Sequence, residues 1–234
     1  MKKTIFLFIL FLTLGISNSW SAISLIADTC AGGTTGAINT TGASLIVVSV
    51  AHTTTVPTPT DSMNNTWTAL NLYSINNPAN DMFYVSNPTT SATHTFTGSL
   101  GICVLAFSGT LVTSSPLDAQ NGSTAAGTTL STGSVTPNFN NEVLVTGVGI
   151  NFDSTVSIDS GFTVPSNGYI DFSSGLYYGM AMAYLVETTA AAKNPTWTRS
   201  VGDPWAGGIA TFEAAPSPGS RLGKGTWGKA KFGF

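Results

Sequence analysis

The residues that could carry chemistry are few, and most kinds of chemistry can be weighed from them directly. Nucleophilic catalysis needs a base within reach of a Ser or Cys. The only histidines are His52, which closes an apolar run, and His94, inside the alternating run Ala92-Thr-His-Thr-Phe96. No Gly-x-Ser-x-Gly elbow accompanies them, so two histidines on strand faces are the plain expectation. A zinc site needs three or four converging ligands, and two scattered histidines with two cysteines do not supply one. Calcium takes oxygen ligands from loops, and Asp153, Asp159 and Asp171 crowd the loop-rich part that follows Glu142. Their spacing is not that of the 12-residue EF-hand loop, and solvated acids in Asx-turns would look the same. Glycoside hydrolysis needs two carboxyls across a groove; Glu142, Glu187 and Glu213 all fall at strand ends, where edge glutamates are ordinary.

Sugar binding without catalysis asks for exposed aromatic platforms beside amides and hydroxyls. Trp197 in Pro-Thr-Trp-Thr-Arg and Trp205 in Asp-Pro-Trp flank one turn-like segment and form a candidate pair, with Tyr177 as a third platform. Trp67, Tyr73, Tyr84 and Tyr169 are weaker candidates of the same kind. Against all of them stands the general rule that an aromatic in a strand more often packs in the core. Cys30 and Cys103 form an even pair. They read either as a disulfide in an oxidising compartment or, for Cys103 within Ile-Cys-Val-Leu-Ala-Phe, as a small core residue.

The elements that must position these residues are strands. Charged residues make up 8% of the chain against a usual share near 25%, while 42% of residues are apolar. A core can therefore form, but a helix-rich or coiled-coil protein is excluded, because both lean on Glu, Lys and Arg. Short β-branched or aromatic runs follow one another, separated by Gly, Pro, Asn and Asp. They predict strands over 44–53, 66–74, 81–86, 93–97, 101–108, 130–136, 142–150, 176–187, 195–199 and 205–213. Weaker ones fall near 23–27 and 162–164. Leu45-Ile-Val-Val-Ser-Val and Leu144-Val-Thr-Gly-Val are apolar on both alternations, which predicts strands covered on both faces. The expected architecture is an all-β, antiparallel β-sandwich of jelly-roll type with about ten to thirteen strands.

The ends of the chain differ from this body. Lys2 and Lys3 precede an apolar stretch over 5–16 and small residues at Ser19 and Ser21, the pattern of a signal peptide over 1–21. That stretch is too short to span a bilayer, and no later run reaches 18 apolar residues, so no transmembrane segment is expected in the mature chain. Between Ala22 and Ala215, two basic residues stand against eleven acids, a net of −9, which disfavours nucleic acid as a partner. Residues 216–234 carry Arg221, Lys224, Lys229 and Lys231 and no acid, a net of +4. This basic, Gly- and aromatic-rich tail reads either as a frayed, solvated terminus or as a segment able to dock on an acidic surface, including that of another copy in a homo-oligomer.

Asp61-Ser-Met-Asn-Asn-Thr-Trp67, Phe107-Ser-Gly109, Pro116-Leu-Asp118, Glu142-Val-Leu-Val145 and Gly161-Phe-Thr163 occur in an order that resembles the secreted β-sandwich modules of bacterial and phage surface proteins. The resemblance spans roughly residues 35–214. It implies an extracellular sandwich and brings no catalytic residue with it. The expected function is a secreted, non-enzymatic binding or adhesion module of a bacterial cell surface, for a glycan or a surface protein. The alternatives are a self-assembling subunit of a matrix or surface layer, and a jelly-roll enzyme acting on glycans. No cofactor is expected beyond structural calcium.

Overall fold

The computed structural model describes residues 20–52, 58–71, 79–112, 115–150, 154–170 and 179–216. Among them no helix is long and apolar enough to cross a membrane. The chain is all-β and antiparallel. A first sheet orders β1 (Ser24–Ala31), β7 (Gly101–Ser108), β2 (Leu45–His52), β5 (Ala79–Ser86) and β4 (Thr68–Ala69) in the sequence β1-β7-β2-β5-β4. A second sheet orders β10 (Val156–Ile158), β13 (Thr196–Glu213), β9 (Glu142–Ile150), β12 (Gly179–Glu187) and β11 (Tyr169–Ile170) as β10-β13-β9-β12-β11, with β8 (Leu117–Ser131) on the other side of β13. A small ribbon joins β3 (Thr60–Asp61) to β6 (Phe96–Thr97). The sandwich expected from the sequence is present. Its jelly-roll connectivity is not confirmed, since each sheet draws its strands from one half of the chain.

The two sheets face each other across a core that includes Val47, Met82, Phe107, Val145, Met182 and Phe212. Two edge-to-face pairs knit it, Tyr84 with Phe212 at 5.3 Å between centroids and Phe107 with Tyr184 at 5.5 Å. Every residue of β2 and of β9 is buried, so both strands are covered on both faces. The outer face of the first sheet, with Ile46, Val48, Phe83 and Val104, lies under Ile38, Trp67 and Phe96 from the connecting segments. The outer face of the second sheet packs Leu144, Val148 and Ala183 against Leu130, Phe162 and Trp197. Three apolar layers result, where a plain two-sheet sandwich has one.

The outer cover of the second sheet is made by the two longest strands folding over. From Ala206 to Phe212, β13 pairs with β9 on one side and with β8 on the other. The β8 register then slips, and residues 199–202 of β13 stand against Thr128 alone. Gly127 sits at φ +120°, a backbone conformation that side chains disfavour. Beyond this bend, Thr129–Ser131 and Thr196–Thr198 continue the pairing, and the Ser123 hydroxyl reaches back to the Ser131 carbonyl. Arg199 pins the turn, although only 2% of it is exposed. It donates to the Gly127 carbonyl at 3.2 Å and to the Asp203 carbonyl, and its guanidinium lies 4.8 Å from the Trp205 ring centre. Burial holds the Arg199 pKa below its ordinary value, with Asp203 acting in the opposite sense.

Cys30 and Cys103 are direct cross-strand partners on β1 and β7 and are joined by a disulfide across a sequence separation of 73. It clamps the edge strand β1 onto the sheet. In the chain-entropy model a loop of that length stabilises the fold by about 4 kcal/mol.

The sheets come close at Gly147, where an added Cβ would lie 2.7 Å from Ser49 Oγ and 2.9 Å from Ser49 Cβ. Ser49 cannot swing away freely, because its hydroxyl donates to Asn80 Oδ1 at 2.5 Å while Asn80 Nδ2 donates to the Gly147 carbonyl at 3.2 Å. Gly147→Ala is therefore expected to destabilise the fold by about 1–3 kcal/mol, the usual cost of overpacking a core. Urea unfolding checks this, and an unchanged midpoint would show that the sheets can part there at no cost.

Candidate functional site

Three polar constellations are built into this frame. In the first, His94 Nε2 lies 3.0 Å from Asp61 Oδ1 and His94 Nδ1 lies 2.9 Å from the Thr40 hydroxyl. Hydroxyl, imidazole and carboxylate in line is the arrangement of a nucleophilic hydrolase. Here the His94 and Asp61 side chains are fully buried and the imidazole stacks on Phe96 at 4.1 Å. Asp61 also accepts from the Met63 N–H at 2.8 Å, from Asn65 Nδ2 at 3.1 Å and from Trp67 Nε1 at 3.0 Å. Its acceptor capacity is spent on tying the segments around residues 40, 61–67 and 94 over the first sheet. The constellation is a strut, with no face open to a substrate.

The second is the buried pair His52–Asp81, on the outer side of β2 and β5. Burial pushes the Asp81 pKa up, and His52 opposes that shift. Among the described residues, His52 Nδ1 and Asp81 Oδ1 have no hydrogen-bond partner.

The third gathers carboxyls. The registers place Glu187 opposite Glu142 and Glu213 opposite Glu142, so three glutamates stand in one row across β12, β9 and β13. Directly opposed side chains share a face, and opposed like charges are unfavourable. A second irregularity, between Thr211 and Phe212 of β13, leaves Asp118 of β8 as an extra residue between Leu117 and Ala119. Bulges re-aim side chains, and this one brings the Asp118 carboxylate beside Glu142 and Glu213. Asp118 is anchored by Asn138, whose N–H and side-chain amide donate at 2.6 and 2.5 Å. Glu187 is neutralised by Lys193 at 2.7 Å.

Glu142 is fully buried. Its Oε1 accepts from the Phe139 N–H at 3.3 Å, and among the described residues Oε2 has no hydrogen-bond partner. Burial above all, then the nearby Asp118 carboxylate, raises its pKa to about 7, while Thr211 and the Phe139 N–H pull the other way. Burial, with Asp118 again, raises Glu213. A carboxyl kept protonated near neutrality beside a carboxylate is an acid–base pair in chemical type. Its central member is sealed among β8, β9 and β13, so the arrangement here stores charge strain. Among the described residues no group of three His, Cys, Asp or Glu side chains converges as a metal site does.

The residues expected to form a sugar platform are placed differently. Trp197 and Trp205 are both fully buried, so neither ring offers a face for stacking. The reason is the fold-over of β8 and β13, which lays Trp197 on the outer face of the second sheet with Nε1 donating to Thr146 Oγ1 at 3.0 Å. Trp205 is roofed by Arg199. Tyr84 is a core residue, and the Tyr169 hydroxyl bonds the Ser154 carbonyl. Tyr177 and Tyr73 lie outside the described residues, as do Asp153 and Asp171 of the calcium expectation. Asp159 is described, and its Oδ1 accepts from the Thr196 N–H and the Ser160 hydroxyl, both at 2.8 Å. Residues 1–19 of the expected signal segment and 217–234 of the basic tail are also outside the described part. Trp20 forms an isolated bridge with Pro216, and the Ser21 N–H donates to the Ala215 carbonyl at 2.8 Å.

Sequence reading missed one open feature. A shallow recess with room for about one water molecule lies at the seam of the two sheets, where β4 and β5 meet β8 and β13. Asn71, Asn80, Gln120 and Asn121 line it over Leu70 and Ile209. The four carboxamides come from three separate segments, so no local motif announces them.

Compared with known protein families, with curated proteins and with solved structures, the chain matches none of them. Fold and sites thus define a class in physical terms: an all-β sandwich, disulfide-linked, with its imidazoles spent on structure.

The raised Glu142 pKa fixes a sign for the pH dependence of stability. An unfolded glutamate titrates near 4.5, the folded one near 7. Its protonated form is favoured in the fold, so this contribution is complete below pH 4.5 and is lost as pH rises to about 7. Each tenfold gain in proton affinity on folding corresponds to about 1.4 kcal/mol. Stability measured by denaturant at a series of pH values is expected to fall across that interval, and Glu142→Gln is expected to flatten the slope. An equal slope in both proteins would place the titration elsewhere.

Proposed function

We propose that the chain is a secreted, non-enzymatic β-sandwich that binds at a bacterial cell surface, to a glycan or to a partner protein. The observation that carries this reading is how the reactive side chains are used. The His94 constellation and the Glu142 carboxyl are buried and packed into the frame. The leader-like N-terminus and the Cys30–Cys103 disulfide suit an oxidising, extracellular setting. The burial of Trp197 and Trp205 moves the glycan expectation away from those residues, and Asp159 alone gives calcium little support.

A second reading, self-assembly in a matrix or surface layer, draws support from charge. Asp118 and Glu213 stand at one end of the second sheet, and the four cations of the tail follow in sequence. Opposite charge on two parts of one chain favours head-to-tail contacts between copies.

Fluorescently labelled mature chain is expected to bind intact bacterial cells saturably, with Glu187→Gln and Glu213→Gln binding as well as the parent. No saturable binding would overturn the surface reading. Loss of a glycan-degrading activity in either glutamine variant would replace it with the enzymatic one. Sedimentation at low and high salt tests the second reading: a larger species, dispersed by salt and absent without residues 216–234, supports it.

A further inference from the structure

We infer that the basic tail, residues 217–234, docks on the sandwich of its own chain, at the end where β8 and β9 begin and β13 finishes, with its cations on Asp118 and Glu213 and its aromatic rings beside Phe139. The inference rests on the charge complementarity of the second reading and goes beyond it by placing the contact within one chain. Among the described residues the only lysine and arginine are Lys193 and Arg199. Lys193 is paired with Glu187, and Arg199 is held by carbonyls at the β13 bend. Asp118 and Glu213 therefore face no described lysine or arginine. Burial and Asp118 together hold the Glu213 pKa above its ordinary value, as befits a carboxyl without a counter-ion. Behind them the fully buried Glu142 faces Asp118 and keeps Oε2 without a described partner. The same end carries an exposed aromatic ring, Phe139. Asn138 holds Asp118 and the Phe139 N–H meets Glu142, so ring and acids are fixed together before any partner arrives.

The tail matches this end in chemistry and in reach. It holds four cations and no acid, with Trp227, Phe232 and Phe234 set among them. The chain enters it at the acidic end itself. The Ala214 N–H donates to the Asn141 carbonyl at 3.1 Å, the Ala215 N–H to the Gly109 carbonyl at 2.8 Å, and the Ser21 N–H to the Ala215 carbonyl at 2.8 Å. These bonds fasten the backbone to the body just past Glu213. The stretch from Pro216 to Arg221 reaches about 17 Å when extended, and Gly219 permits a turn back toward the acids. A partner tethered within such reach acts at an effective concentration on the order of millimolar, so in dilute solution the chain's own tail outcompetes that of a second copy. The same contact, exchanged between copies, gives the assembly of the second reading.

The test uses the full mature chain, as a dilute mixture of unlabelled and heavy-isotope chains treated with a zero-length carbodiimide, which joins a carboxyl to an amine in contact. Peptides linking Lys224, Lys229 or Lys231 to Asp118 or Glu213 are expected, with both ends of one isotope, and they are expected to fade at high salt. Trypsin reads the same contact, because in the mature chain its sites outside the tail are only Lys193 and the buried Arg199. Cleavage after Arg221 and Lys224 is expected to be at least tenfold faster in Asp118→Asn/Glu213→Gln than in the parent, with an unfolding midpoint no lower. Lys229→Gln/Lys231→Gln, which leaves the body untouched, is expected to speed it likewise. Equal cleavage in parent and variants, or links spread equally to Asp28 and Asp159, would overturn the docking. Links whose two ends differ in isotope would put the tail of a second copy there, overturning the contact within one chain while supporting the second reading. Sedimentation decides that reading separately: salt-dispersed assembly without any of these links leaves it standing and removes only the docking site.

Discussion

A strand that is apolar on both alternations has to be covered on both faces, and the rest of this structure follows from that requirement. β2 and β9 have no exposed residue. Two sheets packed face to face bury only their inner sides, so each strand still has an apolar side to hide. The chain supplies the missing cover itself. Segments around Ile38, Trp67 and Phe96 close one outer face, and the folded-over ends of β8 and β13 close the other.

That solution explains where the polar residues went. A cover made of loops brings backbone and side-chain polar groups into contact with an apolar sheet, and each must find a partner. Asp61 meets this need by accepting from Met63, Asn65, Trp67 and His94 at once. Arg199 does the same at the bend, where its donors meet carbonyls that the broken pairing left free. A histidine beside a carboxylate and a cation over an indole, both common in binding and catalytic sites, are fastenings in this molecule.

The row of glutamates shows the opposite situation, in which a need is left unmet. Glu142 is buried with one oxygen unpartnered, opposite Glu213 and beside Asp118. Burial and Asp118 favour its protonated form over what Thr211 and the Phe139 N–H give the charged one. The fold tolerates it at the end of the sheet, where β8 begins and β13 ends. The seam recess differs in kind, being open and lined by uncharged amides.

The sequence alone determined the class and much of the strand list. The 142–150 strand has the predicted bounds, and 101–108 likewise, because long β-branched runs between turn residues leave little choice. It also made legible that some strands would be buried on both faces, and that Cys30 and Cys103 were a pair to consider. It missed β8, where Leu-Asp-Ala-Gln-Asn-Gly-Ser has few β-formers and an Asn-Gly that signals a turn; pairing with β13 overrides that local preference. It read 195–199 and 205–213 as two strands where one bent strand runs, and between an exposed platform and core packing for Trp197 and Trp205 the structure takes the core. Register is what it could not see. Whether Glu142 stands opposite Glu213, whether a bulge turns Asp118 toward them, and whether Asn71 meets Gln120 are each decided by how distant strands align. Local sequence specifies a strand and its two faces, but only the packed sheets determine which residues those faces meet.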